Sequence, residues 1–281
     1  MTDSRLNTLR NWLKGLQPNW QLDLDTLTPA SADASFRRYF RIESQKPDFP
    51  TLIIMDAPPQ HEPLDAFIKV DLLLSEAGLN VPKILEQDLS NGFLLLNDLG
   101  NKTYLAELNS ESADHLYQDA THALVQMQLA SKPDVLPNYD AVLLRRELDL
   151  FPEWYLKKHL DIQLSDLQAD QLQKSFDLII ENNLAQAKVY VHRDYHSRNL
   201  MVTQKHNPGV IDFQDAVYGP ITYDAASLWR DAYIAWPEER VIDWVIKFWE
   251  EGRKAGLPMP DDFGQLYRDF EFAQALLASH Q

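Results

Sequence analysis

Up to about residue 97 the chain reads mainly as short strand-like apolar runs, interrupted by two helical stretches, and beyond it long helical patterns with a period near 3.6 dominate. The change falls between Asn97 and Gly100, and no other feature limits the fold as much. On the early side, "SFRRYFRIE" alternates aromatic or aliphatic with basic side chains and "TLIIMDA" is a compact apolar run. The turn-rich joint "SQKPDFP" between them predicts a hairpin. In "LDAFIKVDLLLSEAGLNVP", Phe67, Val70, Leu73 and Leu74 share one helical face, and Gly78 with Pro82 marks the exit. "PKILEQD" and "GFLLLND", joined by a polar turn from Leu89 to Gly92, predict two further strands. The opening "MTDSRLNTLRNWLKGLQPNW" spaces Leu6, Leu9, Leu13 and Leu16 as an amphipathic surface helix does.

Past Leu99, helical spacing takes over. "ADHLYQDATHALVQMQLA" keeps Leu116, Ala120, Ala123, Leu124 and Met127 three and four apart, and "ITYDAASLWRDAYIAW" and "ERVIDWVIKFWEEGRKAG" continue the pattern. One interruption, "LMVTQKHNPGVIDF", carries two short apolar runs around Asn-Pro-Gly and predicts another hairpin. Strands followed by helices make an α+β protein. Its expected parts are a strand-rich lobe over residues 1–96, with an antiparallel sheet and one inserted helix, and a mainly helical lobe over 97–281.

Composition removes whole classes of function. A formal charge of −16 repels polyanions, so neither nucleic acid nor an anionic membrane surface is an expected partner. No apolar run approaches the roughly 18 residues a bilayer span needs. The absence of cysteine excludes disulfides, thiolate catalysis and Cys-ligated zinc. A cytoplasmic protein acting on a small molecule, with no obligate protein partner, is the expectation.

Chemistry concentrates in "VHRDYHSRNL", residues 191–200. Asp194 and Asn199 are five apart, and Asp212 stands thirteen further on, at the end of the hairpin that can fold it back toward Asn199. An amide oxygen and a carboxylate converging in this way suit magnesium, which takes few protein ligands and completes its shell with phosphate oxygens and water. Asp194 is then left to accept or orient the proton of an attacking hydroxyl, which is what phosphoryl transfer requires. One Asp or Asn in a loop is ordinarily a turn former or a cap; three in register point to a site. His192 is read as holding the loop, and Arg193 and Arg198 as surface or loop-bracing groups. His196 either touches the transferred phosphate or packs.

"HRDYHSRNLMV" followed by "VIDFQD" resembles the catalytic and metal loops of the aminoglycoside phosphotransferase family, relatives of the protein kinases. "FLLLNDLG", "GLNVPKIL" and "YGPITYDAASL" extend the resemblance over most of the chain. A narrower set, "ASFRRYFRI", "IIMDAPP", "ELDLFPEWYL" and "SLWRDAYIAWPEE", is similar to the bacterial kinases that phosphorylate N-acetylmuramate and N-acetylglucosamine at the anomeric C1 hydroxyl, in cell-wall recycling. The resemblance implies a protein-kinase-like two-lobed fold that uses ATP and Mg2+. It makes Asp194 the catalytic base, Asn199 and Asp212 the metal ligands, and the backbone at Asn97 and Leu99 the adenine-binding hinge. Acceptors of the aminoglycoside, choline or homoserine type, or a nucleotide-binding pseudokinase, are the alternatives.

The pattern has gaps. Kinases carry a lysine on the third strand paired to a glutamate on the next helix; here the strand position falls on Met55 or Asp56, and the helix reads Phe67, Ile68, Lys69. Arg38 and Arg41 are candidates to grip phosphate in its place, with Lys69 a third, although both arginines are equally open to facing solvent. The nucleotide loop is read in "TPASADASFRRYF", which has no glycine and relies on small residues such as Ser35 for close backbone approach. Glu147, Asp149, Trp154, Arg230 and Asp231 are the acceptor candidates, with Arg230 expected on a lactyl carboxylate or a phosphate. Asp224 is expected to brace the loop after Asp212. The chain stops at "FEFAQALLASHQ", within a helical pattern, where similar kinases continue, which leaves the completeness of the acceptor pocket open.

Overall fold

The computed structural model describes residues 4–31 and 36–279. The chain forms two compact units, one of residues up to Leu73 with Val81–Asn101, the other of Leu74–Asn80 with Lys102 onward. In the first, helix α1 (Ser4–Trp20) precedes strands β1 (Leu22–Ser31), β2 (Arg38–Ser44) and β3 (Thr51–Asp56). Helix α2 (Leu64–Glu76), which belongs to this unit up to Leu73, and strands β4 (Ile84–Asp88) and β5 (Phe93–Asn97) follow. The strands form one antiparallel sheet in the order β1-β2-β3-β5-β4.

Both expected hairpins form, and the fifth strand, β1, is the addition. Its alternation is broken by Pro29 and by register shifts between Asp23 and Thr28 and between Pro29 and Ser31. An edge strand tolerates a proline and bulges because one side needs no ladder partner. Thr28–Ser31, taken from sequence as the start of the nucleotide loop, therefore pairs with Tyr39–Arg41; Ser35 lies outside the described residues.

Alternation sorts this sheet. Leu22, Phe40, Ile42, Leu52, Ile54, Phe93 and Leu95 face α1 and pack on its Leu9 and Leu13. Arg38 has the parity of Phe40 and Ile42, whereas Arg41 has the opposite parity. Residues three apart on a strand cannot share a face, so the two candidate arginines project to opposite sides of the sheet. Between β4 and β5, Gly92 adopts φ +74° and its position allows no side chain: a Cβ there would lie 1.9 Å from the Ala57 carbonyl oxygen.

The second unit contains α3 (Tyr104–Glu107), α4 (Ala113–Leu129), α5 (Ala141–Leu148), a π-helical stretch (Phe151–His159) and α6 (Asp166–Ala185). Strands β6 (Lys188–Val191), β7 (Leu200–Met201), β8 (Gly209–Val210) and β9 (Val217–Pro220) come next, followed by α7 (Tyr223–Trp229), α8 (Glu238–Ala255) and α9 (Phe263–Leu277). The predicted face of α4 is buried, and Val241, Trp244, Val245 and Phe248 bury one side of α8. β7 pairs with β8 as the predicted hairpin and β6 pairs with β9. α9 ends at Leu277, with the Ala278 amide bonded to the Gln274 and Leu276 carbonyls.

Candidate active site

β6 delivers residues 192–199 as a loop, and its shape is set by buried acids that accept backbone amides. Asp224, fully buried on α7, accepts the His192 amide at 2.7 Å and the Arg193 amide at 3.1 Å. Burial pushes its carboxyl up to about 7 against the pull of those two donors. It braces the loop before Asp194, not the one after Asp212 as the sequence suggested. Arg193 itself sits at φ +79° and Asp212 at φ +65°, left-handed conformations that side chains adopt at a cost of about 1–3 kcal/mol where neighbours enforce them.

The His192 ring is the link between the two halves of the site. Fully buried, it bonds through Nε2 to the Ile211 carbonyl at 3.1 Å, and its Nδ1 accepts the Asp194 amide at 3.2 Å. Burial, with His196 nearby, lowers its pKa to about 3, so the ring is neutral and suited to that donor–acceptor bridge. The loop then turns on itself, the His196 amide donating to the Asp194 carbonyl and the Asn199 amide to the His196 carbonyl. The Asn199 side-chain amide donates to the Asp194 carbonyl at 3.1 Å and to the Asp212 carboxylate at 3.3 Å. Asp212 also accepts from Gln214 Nε2 at 2.9 Å, and the Ile211 amide donates to the Asn199 carbonyl at 3.1 Å. The structure thus brings Asp194, Asn199 and Asp212 together across the folded-back ribbon. Asp194 opens to solvent, and its pKa is raised by desolvation and then by the like charge of Asp212. Gln214 and Asp215, beside Asp212 in sequence, complete the polar surround and were not singled out from sequence.

Several expected contacts lie elsewhere. Glu147 is 5% exposed and accepts from the Tyr139 hydroxyl and the Arg193 guanidinium, so it braces the loop from behind and is not open to an acceptor. Arg230 is committed: both oxygens of Glu238 accept from its terminal nitrogens at 2.7 Å and Glu271 accepts at 3.2 Å, which turns its charge toward protein carboxylates and not toward an acceptor. Asp231, also buried, accepts the Ser197 amide and the Tyr233 amide, each at 2.9 Å, and so holds the loop instead of facing a ligand. His196 stands edge-on to the Tyr233 ring at 5.3 Å with its Nδ1 buried and unbonded among the described residues. Trp154 is 57% exposed on the π-helical stretch under the Lys158 amine, and Asp149 pairs with Arg145 at 2.7 Å.

In the sheet unit, Arg38 and Arg5 converge on the buried Asp56 at 2.6 Å each, and Met55 is buried, so the third strand offers no cation. Arg41 binds Asp98 at 2.6 Å and the Gly100 carbonyl at 3.0 Å, bracketing the segment after β5. Within that segment the Asn97 amide already donates to the Lys83 carbonyl at 3.2 Å, whereas the Leu99 backbone makes no hydrogen bond among the described residues. On α2, Asp71, which sequence reading did not single out, is buried with one carboxylate oxygen unpaired among the described residues and its pKa pushed up to about 7 by burial. Its spacing from Phe67 and Leu74, four and three residues, is the signal that places it on the buried face.

Residues 26–258 match the model of the phosphotransferase enzyme family. The chain is 45% identical to an N-acetylmuramate/N-acetylglucosamine kinase of Pseudomonas aeruginosa over 95% of its own length and 80% of that protein. It is 46% identical to the protein of the same description from Neisseria meningitidis serogroup B, covering 94% of this chain and 78% of the relative. An aminoglycoside phosphotransferase of Streptomyces rimosus, solved with ADP and streptomycin, shares the fold at 14% identity with a TM-score of 0.59, covering 97% and 98% of the two chains.

Proposed function

We propose, from the premise that this chain belongs to the phosphotransferase enzyme family, that it is an ATP-dependent kinase acting on the anomeric C1 hydroxyl of N-acetylmuramate or N-acetylglucosamine. The acceptor follows the N-acetylmuramate/N-acetylglucosamine kinases that are 45% and 46% identical over nearly all of this chain. The observation that carries the chemistry is the convergence of Asp194, Asn199 and Asp212 on one braced loop. In this reading Asp194 takes the proton of the sugar hydroxyl as its oxygen bonds the γ-phosphorus and the bond to the β–γ bridging oxygen breaks, releasing ADP. The raised pKa of Asp194 favours a group that can hold that proton.

The Asp212 carboxylate and the Asn199 carboxamide are hard-oxygen groups that fit Mg2+, an ion that keeps water and phosphate oxygens as its other ligands. Bound there, it would offset charge on the transferring phosphoryl group. The Leu99 backbone, which makes no hydrogen bond among the described residues, is the natural partner for an adenine edge, and Arg41 holds that segment in place through Asp98 and Gly100. The cytoplasm, where ATP is held, is the expected compartment, and the proposed product places the reaction in peptidoglycan recycling.

Incubation with ATP, Mg2+ and either sugar should release ADP and form an acid-labile sugar phosphate. An acid-stable product would exclude transfer to C1. Nucleotide binding without turnover on either sugar or on aminoglycoside, choline and homoserine acceptors would favour a pseudokinase, the reading that the missing strand cation supports.

A further inference from the structure

N-acetylmuramate differs from N-acetylglucosamine by a lactyl group carrying a carboxylate. A site that takes both has to meet an anion in one case and tolerate its absence in the other. A buried, desolvated arginine meets the first demand and fails the second, because it would stand unpaired when the neutral sugar binds. An exposed arginine, held in place by something other than an acid, meets both.

The catalytic loop and the segment after α7 bring three arginines to this region, and two are committed. Arg193 is paired with the buried Glu147, and Arg230 with Glu238 and Glu271. Arg198 is exposed and makes no hydrogen bond or ion pair among the described residues. Its guanidinium lies 4.8 Å from the centre of the Tyr233 ring, a cation–π contact that fixes position without neutralising charge. That ring is 47% exposed, yet it is anchored. The Tyr233 amide is bonded to Asp231 Oδ1, the other oxygen of the same carboxylate takes the Ser197 amide, and His196 packs edge-on against the ring. One buried carboxylate therefore sets Tyr233 and the loop in mutual register. Arg198 immediately precedes Asn199, whose side chain bonds both the Asp194 carbonyl and Asp212. The surroundings are otherwise acidic, with Asp194, Asp212 and Asp215 on the same ribbon and −16 on the whole chain. An anionic acceptor approaching them is repelled unless a local cation offsets the field.

We propose that Arg198, seated on the Tyr233 ring, receives the carboxylate of an acidic acceptor sugar and sets the preference for N-acetylmuramate over N-acetylglucosamine. The inference rests on the acceptor reading given under Proposed function.

The test is steady-state kinetics on both sugars for the wild type, Arg198→Ala, Arg198→Lys and Tyr233→Leu, with thermal melts alongside. A charge-assisted hydrogen bond lost to truncation corresponds to about a 10- to 100-fold change. Arg198→Ala should therefore lower the kcat/KM ratio of N-acetylmuramate to N-acetylglucosamine by about that factor, through KM, with KM for ATP unmoved. Arg198→Lys should keep part of the preference, and Tyr233→Leu should lose part of it. Added salt should erode the ratio in the wild type and leave it flat in Arg198→Ala. If Arg198→Ala melts early, Arg198→Gln is read in its place. Equal losses on both sugars, or a raised KM for ATP, would overturn the proposal by making Arg198 a loop or nucleotide residue. A wild type that phosphorylates both sugars with a ratio indifferent to residue 198 overturns it while leaving the acceptor reading intact. Failure of the wild type on both sugars instead removes the acceptor reading, and this inference with it; failure on N-acetylmuramate alone overturns this inference only.

Discussion

Replacing Asp71 by Asn or Ala isolates the cost of an acid buried on α2. One Asp71 oxygen has no partner among the described residues, and burial alone raises the carboxyl from 3.8 to about 7. At one pKa unit per 1.36 kcal/mol, the ionised form is penalised by about 4 kcal/mol in the folded state. The sign follows from linkage: between about pH 4 and pH 7 the folded chain binds this proton and the unfolded chain does not, so Asp71 lowers stability progressively as pH rises and fully above 7. Integrated, the penalty is about 2 kcal/mol at pH 5.5 and about 4 kcal/mol at pH 8.5. Urea unfolding of wild type, Asp71→Asn and Asp71→Ala at those two pH values should show both variants gaining about 2 kcal/mol more at pH 8.5 than at pH 5.5. Asp71→Ala should add about 0.5 kcal/mol of helix propensity at either pH. His192 and Asp224 also titrate away from their usual ranges, but all three proteins carry them and they cancel in the difference. Parallel stability–pH curves for wild type and Asp71→Asn would refute the reasoning, since they would mean that the buried acid is paired or hydrated.

Three further outcomes are expected. Asp194→Asn should lower kcat by at least about 100-fold, measured by ADP release, while leaving the melting temperature nearly unchanged because the side chain is open to solvent. Glu147→Gln leaves the Arg193 guanidinium without its buried acid and should cost about 2–3 kcal/mol in chemical denaturation, less than for a fully buried pair because the Arg193 side chain is 26% exposed; a loss under about 1 kcal/mol would mean that Tyr139 alone holds the bracket. Gly92→Ala, with φ +74° and a Cβ position 1.9 Å from the Ala57 oxygen, should destabilise by about 3 kcal/mol or more in urea, and native-like stability would show that the β4–β5 turn can reorganise freely.

Local patterning was enough for the α+β order of elements, the two sheet hairpins, the buried face of α4 and the pairing of β7 with β8, because period and turn chemistry are properties of neighbouring residues. The same holds for the meeting of Asn199 and Asp212, since a short hairpin between them leaves little freedom. It was not enough for β1, where Pro29 and two register shifts break the alternation. Nor could it assign the charged side chains, whose partners no local period or turn fixes: Arg230 to Glu238, eight residues on, and, at long range, Arg230 to Glu271, Glu147 to Arg193, Asp231 to Ser197 and Arg41 to Asp98. An acid or an arginine looks the same in sequence whether it awaits a ligand or already has a partner. Only tertiary structure, by deciding which charges neutralise one another in the interior, left Asp194 and Arg198 facing outward.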